Sequence, residues 1–170
     1  METNPLFPEV WHVSMSVNSG VSLLTRPRYA QIIARHLNKG HRDEMIITRS
    51  HMLLPDELLL LVEPNRSPLN EWLQAFLSGS AADLCETLQK DTDEQRKEWF
   101  TTFLNKDDNA PALFWKNVQQ QRVSSLKEYD DLEARMLSAP VRAGYVNDPE
   151  FYTYTWFNNR SGIQYTQLEG

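Results

Sequence analysis

The residues most able to do chemistry in this chain are few and scattered. Histidines stand at His12, His36, His41 and His51, a single cysteine at Cys85, and two adjacent carboxylates at Asp56 and Glu57. Imidazole and carboxylate together can hold a divalent ion, and His12, His51 and Glu57, on strands that could be neighbours, are one set from which such a site can be drawn. They lack ligand spacing, so packing is the simpler role, for His51 in particular, and no metal or other cofactor is predicted. Cys85 has no CxxC or Cys/His partner and reads as a small core hydrophobe in a reducing, cytoplasmic setting. The chain contains no glycine-rich phosphate loop, no GxSxG and no Cys/His nucleophile pair.

Cations are more plentiful. Arg26, Arg28, Arg35, Lys39 and Arg42 fall on one side of a helical repeat, opposite Tyr29, Ile32, Ile33, His36 and Leu37. Such a stripe fits a phosphate-contacting face and equally a solvated outer face. Arg122, Arg135, Arg142 and Arg160 add cations in the C-terminal part. A net charge of -6 argues against a general nucleic-acid binder. The acidity is local, however: residues 67 to 110 carry 4 Lys/Arg against 9 Asp/Glu, while residues 1 to 66 carry 7 against 7. Trp72, Trp99, Trp115 and Trp156 lie in separate elements and read as core residues rather than base-stacking platforms.

The elements that must position these groups follow from periodicity. Val13, Met15 and Val17 alternate with His12, Ser14 and Ser16, which predicts a half-buried strand ended by Asn18, Ser19 and Gly20. Thr25-Arg26-Pro27 opens a helix that Gly40 closes, because proline is tolerated in a first turn. Residues 44 to 54 and 57 to 63 predict two strands joined by a tight Pro55-Asp56 turn. Ser67-Pro68 starts a second helix, with Leu69, Trp72, Leu73, Phe76 and Leu77 on its apolar face, running to about Gly79. From about 81 to 110 the chain is acidic and helical in pattern, with a capping box at Thr92 to Gln95 ahead of Trp99, Phe100 and Phe103, and a break at Asn105 to Asn109. Phe114 and Trp115 begin a strand through about Val123, and Tyr129 to Ser138 is helical. Strands interleaved with helices at 170 residues predict one α+β domain, an antiparallel sheet with helices packed on one face and an acidic helical insertion at about 81 to 110. No run is long and apolar enough for a membrane span.

The stretch from residue 138 to 157, SAPVRAGYVNDPEFYTYTWF, is the most specific. Pro140-Val141-Arg142-Ala143-Gly144, then Val146, Asp148-Pro149 and the aromatics from Phe151 to Trp156 closely resemble the "NPVRAG-V-DP--Y--S" tail of the REP-associated tyrosine transposases, relatives of the single-tyrosine insertion-sequence transposases. Trp11-His12-Val13 resembles the family's "YHVT" strand, Leu54-Pro55-Asp56 its "MP(N/D)", and Phe114-Trp115 its "LW". The likeness spans residues 10 to 157 apart from the acidic stretch. It implies a ferredoxin-like α+β fold that binds hairpin or single-stranded DNA.

The departures from the family pattern decide what that resemblance implies about activity. The family follows "MP(N/D)" with two histidines at i and i+2, projecting from one face of a strand to hold the catalytic divalent metal. Those positions here are Glu57 and Leu59, and leucine cannot ligate a metal. The family's nucleophilic tyrosine lies five residues before the tail proline, which here is Arg135, a cation that cannot attack phosphate. Tyr129, six residues earlier, faces about 120° away on a helix. Ala139 stands at the family's asparagine, and Ser78-Gly79-Ser80 replaces its basic residues on the second helix. The reading is a non-cleaving, transposase-like DNA-binding protein with a regulatory role, its contacts drawn from Arg26, Arg28, Arg35, Lys39, Arg42, Arg122, Arg135 and Arg142. A protein-interaction module using the acidic segment 83 to 108 on a basic partner is the alternative, and a DNA-nicking enzyme with relocated ligands is the third.

Overall fold

A computed structural model gives the structure of residues 7–99 and 114–168. In chain order it contains β1 (Val10–Val17), α1 (Pro27–Arg42), β2 (Ile46–Leu53), β3 (Glu57–Pro64), α2 (Leu69–Gln89), α3 (Glu94–Trp99), β4 (Trp115–Val123) and α4 (Leu126–Arg142). The strands form one sheet in the order β2-β3-β1-β4, antiparallel throughout. A β-α-β-β-α-β order on such a sheet is the α+β sandwich that the patterning predicts and the ferredoxin-like arrangement that the resemblance implies; the helices are not all on one face as expected, since α4 lies across the other. Among the described residues no helix is long and apolar enough to cross a membrane.

Cross-strand partners share a face, so the register assigns every side chain. Val13 pairs with Leu60 and Met15 with Leu58, while Leu60 also pairs with His51 and Leu58 with Leu53. These residues, with Ile46 and Val62, form the fully buried face on which α1 and α2 lie. The opposite face carries His12, Ser14 and Ser16 from β1, Glu57, Leu59 and Leu61 from β3, and Ser50 and Met52 from β2. Helix α4 crosses it: the Ser50 hydroxyl donates to Glu133 at 2.5 Å and lies 3.1 Å from the Tyr129 hydroxyl.

Two glycines read as helix stops prove to be contact points inside helices. At Gly40 a Cβ would stand 2.5 Å from Trp72 Nε1, so the bare Cα is what lets α1 and α2 approach, and α1 continues to Arg42. At Gly79 a Cβ would stand 2.9 Å from His36 Cε1. Neighbouring Ser80 donates to the Phe76 carbonyl at 2.6 Å and accepts from Trp115 Nε1 at 2.9 Å, so the Ser-Gly-Ser stretch is helical and α2 runs on to Gln89.

Beyond Gln89 the chain turns through Asp91. This buried carboxylate accepts from Tyr29 Oη at 2.5 Å and from Arg96 Nε at 2.9 Å, tying the start of α3 to α1. The Arg96 guanidinium, more than any other neighbour, holds the Asp91 carboxyl far below the usual range. Asp93 caps α3, accepting from the backbone amides of Gln95 and Arg96 at 3.0 and 3.1 Å. The expectations for the Trp99 side chain, Phe100, Phe103 and Asn105 to Asn109 lie outside the described residues.

The C-terminal segment supplies a part of the sheet that periodicity did not announce. Met52 bridges Thr155, Leu53 donates to Tyr154 at 2.9 Å, Trp156 donates to the His51 carbonyl at 3.1 Å, and Thr166 donates to the Thr48 carbonyl at 2.9 Å. The otherwise bare edge of β2 is thereby covered, as an edge strand in water must be.

Candidate nucleic-acid interface

On β3 the Glu57 and Leu59 side chains project from the α4 face, both half-buried. The Ser16 hydroxyl donates to Glu57 Oε2 at 3.4 Å. Burial pushes the Glu57 carboxyl above its ordinary range and the Asp56 charge adds to this, while Ser16 and the Arg142 guanidinium oppose it. For a divalent cation this donor set does not fit. Leu59 offers no lone pair, and among the described residues no three His, Cys, Asp or Glu side chains are grouped to hold an ion. The set His12, His51 and Glu57 is not assembled either. His12 pairs with Leu61, four residues along β3 from Glu57 or about 13 Å by strand rise, and His51 points to the opposite face.

Both histidines are held neutral. Burial lowers the His12 imidazole, with the Arg135 guanidinium adding to the effect. His51 is wholly buried, its ring edge-on to Tyr165 at 5.8 Å, and neither nitrogen finds a hydrogen-bond partner. The Asn159 amide approaches but is engaged with the Ile163 backbone at 2.8 and 3.2 Å, so burial pushes His51 down to about 4. The packing role read for His51 fits this setting.

Helix α4 owes its direction to two caps. Ser125 accepts from the Glu128 amide at 3.2 Å at the start. At the end the Pro140-to-Gly144 stretch closes in a Schellman motif: Tyr145 donates to the Pro140 carbonyl at 2.9 Å and Gly144 donates to the Val141 carbonyl at 3.0 Å. Gly144 takes φ +81°, a left-handed conformation that favours glycine. Arg142 reaches back to donate to the Arg135 carbonyl at 3.0 Å, tying the last turn of α4 to its middle. Tyr129 is buried against Ser50, and burial raises its phenol to about 12. Ser50 pairs with Leu61, so that hydroxyl also lies about 13 Å along the strand from Glu57. Arg135 is exposed on α4 and makes no ion pair among the described residues; Glu133, its nearest acidic candidate in sequence, is taken by Ser50.

The sheet separates the predicted cations. Arg26, Arg28, Lys39 and Arg42 are exposed on α1, Arg135 and Arg142 on α4, and these helices cover opposite faces. Arg35 is paired with Asp83 at 3.1 Å, and Arg122 lies beside Glu9 at 3.6 Å with its guanidinium 5.8 Å from the Trp11 ring centroid. At one end the α1 start and the chain following α4 line a common groove, which holds Arg160 but none of the α1 or α4 cations.

Trp72, Trp115 and Trp156 are buried, as predicted. Among the described residues the exposed aromatics are others: Phe151, Tyr145 and Phe157. Periodicity gave no sign of them, since they follow the last helix in an irregular stretch; the density of aromatic residues from 145 to 157 was the available signal. Within the acidic segment, Asp83 meets His36 at 2.6 Å, Glu86 meets Lys90 at 2.8 Å, and Asp91 and Asp93 share Arg96. These acids are engaged within the chain. Asp107 and Asp108 lie outside the described residues.

No family model and no curated protein sequence matches the chain. Among solved structures it is similar to a REP-associated tyrosine transposase bound to a REP hairpin, with TM-score 0.61 and 13% identity over 100% of this chain and 92% of that one. A candidate transposase from Deinococcus radiodurans aligns with TM-score 0.49 and 10% identity over 79% of this chain and 95% of that one. The first likeness fixes the architecture: this is a transposase-like α+β fold.

Proposed function

We propose that the chain binds hairpin or single-stranded DNA on its transposase-like scaffold without cutting it by the metal-and-tyrosine route, and so acts as a regulator rather than a transposase. One observation carries the reading. On the half-buried face of β3, Glu57 and Leu59 stand where the resemblance calls for two imidazoles, and α4 presents Arg135 where it calls for a phenol. A guanidinium keeps an attraction for phosphate and has no nucleophilic oxygen. The similar solved structure, a REP-associated tyrosine transposase bound to a REP hairpin, supports the choice of ligand.

The test is a salt titration of binding to hairpin and single-stranded DNA, starting at about 50 mM. Affinity should fall steeply with salt, and Arg135→Ala should lower the log–log slope by about 1. Absence of binding at the lowest salt defeats the proposal. A parallel incubation with magnesium, manganese and zinc should leave the hairpin uncut, and metal-dependent nicking would reinstate an enzyme.

A further inference from the structure

We propose that the groove joining the start of α1 to the chain after α4 is a subsite for unpaired nucleotides, whose bases stack on Phe151 and Tyr145 while their phosphates meet Arg160 and Arg26. This rests on the nucleic-acid reading above and adds to it a place and a strand type. The groove encloses about 460 Å³, with Pro27, Pro55, Tyr145, Phe151 and Arg160 among its walls.

Its aromatic rings are exposed on an anchored backbone. Phe151 is 71% and Tyr145 46% exposed, a large apolar area for residues that are usually buried. Neither sits on a loose loop. Phe151 ends the 3-10 turn Pro149–Phe151, where Asp148 caps the Glu150 amide at 3.0 Å. The Asn158 amide clamps both flanks of Phe151, donating to the Glu150 carbonyl at 2.9 Å and the Tyr152 carbonyl at 2.7 Å. Tyr145 closes the helix cap at its own backbone amide. A backbone fixed before binding needs little further ordering when a base stacks on its ring.

The charges fit a strand threading past those rings. Arg160 is positioned by its backbone bond to the Thr153 carbonyl at 3.1 Å. Arg26, Arg28 and Arg160 make no ion pair among the described residues. At Pro27 the groove adjoins a second one of about 330 Å³, lined by Arg26, Arg28, Asp91 and Arg96; Arg96 is paired with Asp91, which leaves Arg26 and Arg28 to meet phosphate along the α1 start. The Asp56 charge acts on the Tyr145 phenol and favours a base over a phosphate at that ring. A peptide of matching apolar character would use the rings but not the arginine path.

The experiment compares three DNA probes by fluorescence anisotropy at low salt: a blunt hairpin, the same hairpin with a randomised single-stranded extension of roughly six nucleotides, and an unstructured oligonucleotide. Phe151→Ala should weaken the extended hairpin and the oligonucleotide roughly 5- to 100-fold while leaving the blunt hairpin within about twofold. Phe151→Trp should retain binding, and Arg160→Ala should weaken the same two probes with a shallower salt slope. If the wild type binds the blunt hairpin but gains nothing from the extension, or if Phe151→Ala weakens all probes alike, the subsite is overturned and the broader reading survives. If it binds none of the three, both fall. Capture of a proline- and aromatic-rich peptide in a Phe151-dependent way, without oligonucleotide binding, also overturns the proposal.

Discussion

The two faces of the sheet show what each half of the sequence is for, and β3 carries both. Its even positions, Leu58, Leu60 and Val62, are completely buried under α1 and α2. Its odd positions start with Glu57 and Leu59, half-buried beside serines on the face that α4 shares. The apolar run Leu58 to Val62 is therefore what a central strand covered on both sides looks like in sequence. The acid at its head is only half-buried, beside Ser16. One face is almost wholly apolar; the other mixes polar groups with buried Leu61 and Met52.

That contrast is most directly broken by truncation. Leu60→Ala should cost about 2–5 kcal/mol by urea denaturation, because it opens a cavity under two helices, whereas Leu59→Ala should cost about 1 kcal/mol. Equal losses would show that the faces are equally packed. Acidification probes the apolar face next. His51 is neutral when folded, with its pKa near 4 against an unfolded value of about 6.5. The unfolded chain takes up the proton first as pH falls, so on the order of 3 kcal/mol of stability should disappear between pH 6.5 and 4 and be fully present above that window. In His51→Phe this component of the pH dependence should vanish. Gly40→Ala should cost about 1–3 kcal/mol through the clash with Trp72. Gly144→Ala, in open space but left-handed, should cost about 1 kcal/mol. The smallest effect belongs to the mixed face: Glu57→Gln should leave stability at pH 7 unchanged or slightly raised, since burial already disfavours its charge.

Much of this was legible where local pattern and tertiary environment agree. The alternation at Val13, Met15 and Val17, the Pro55-Asp56 hairpin and the stripe of α1 each report one neighbouring layer, which periodicity can encode. Gly40 and Gly79 were misread because a glycine that admits an indole or an imidazole looks in sequence like one that ends a helix. The separation of Arg135 from the α1 arginines was hidden because it depends on which face α4 chooses, a matter of topology after the last strand. The exposed Phe151 and Tyr145 were hidden for a related reason: residue type predicts burial, and these two defy their type. The Pro140-to-Gly144 stretch was visible as a motif, but its physical content, a helix cap with Tyr145 at its end, needed the backbone.

The pairing of Met52 with Thr155 also has a bearing on biosynthesis. Those partners are about 100 residues apart, so at roughly 5–20 residues per second a ribosome needs on the order of 5–20 s after making the second strand to deliver the segment that seals it. Throughout that interval the nascent chain exposes a bare hydrogen-bonding border, and any slowing of translation across the intervening acidic stretch would lengthen the time in which two nascent chains can join there.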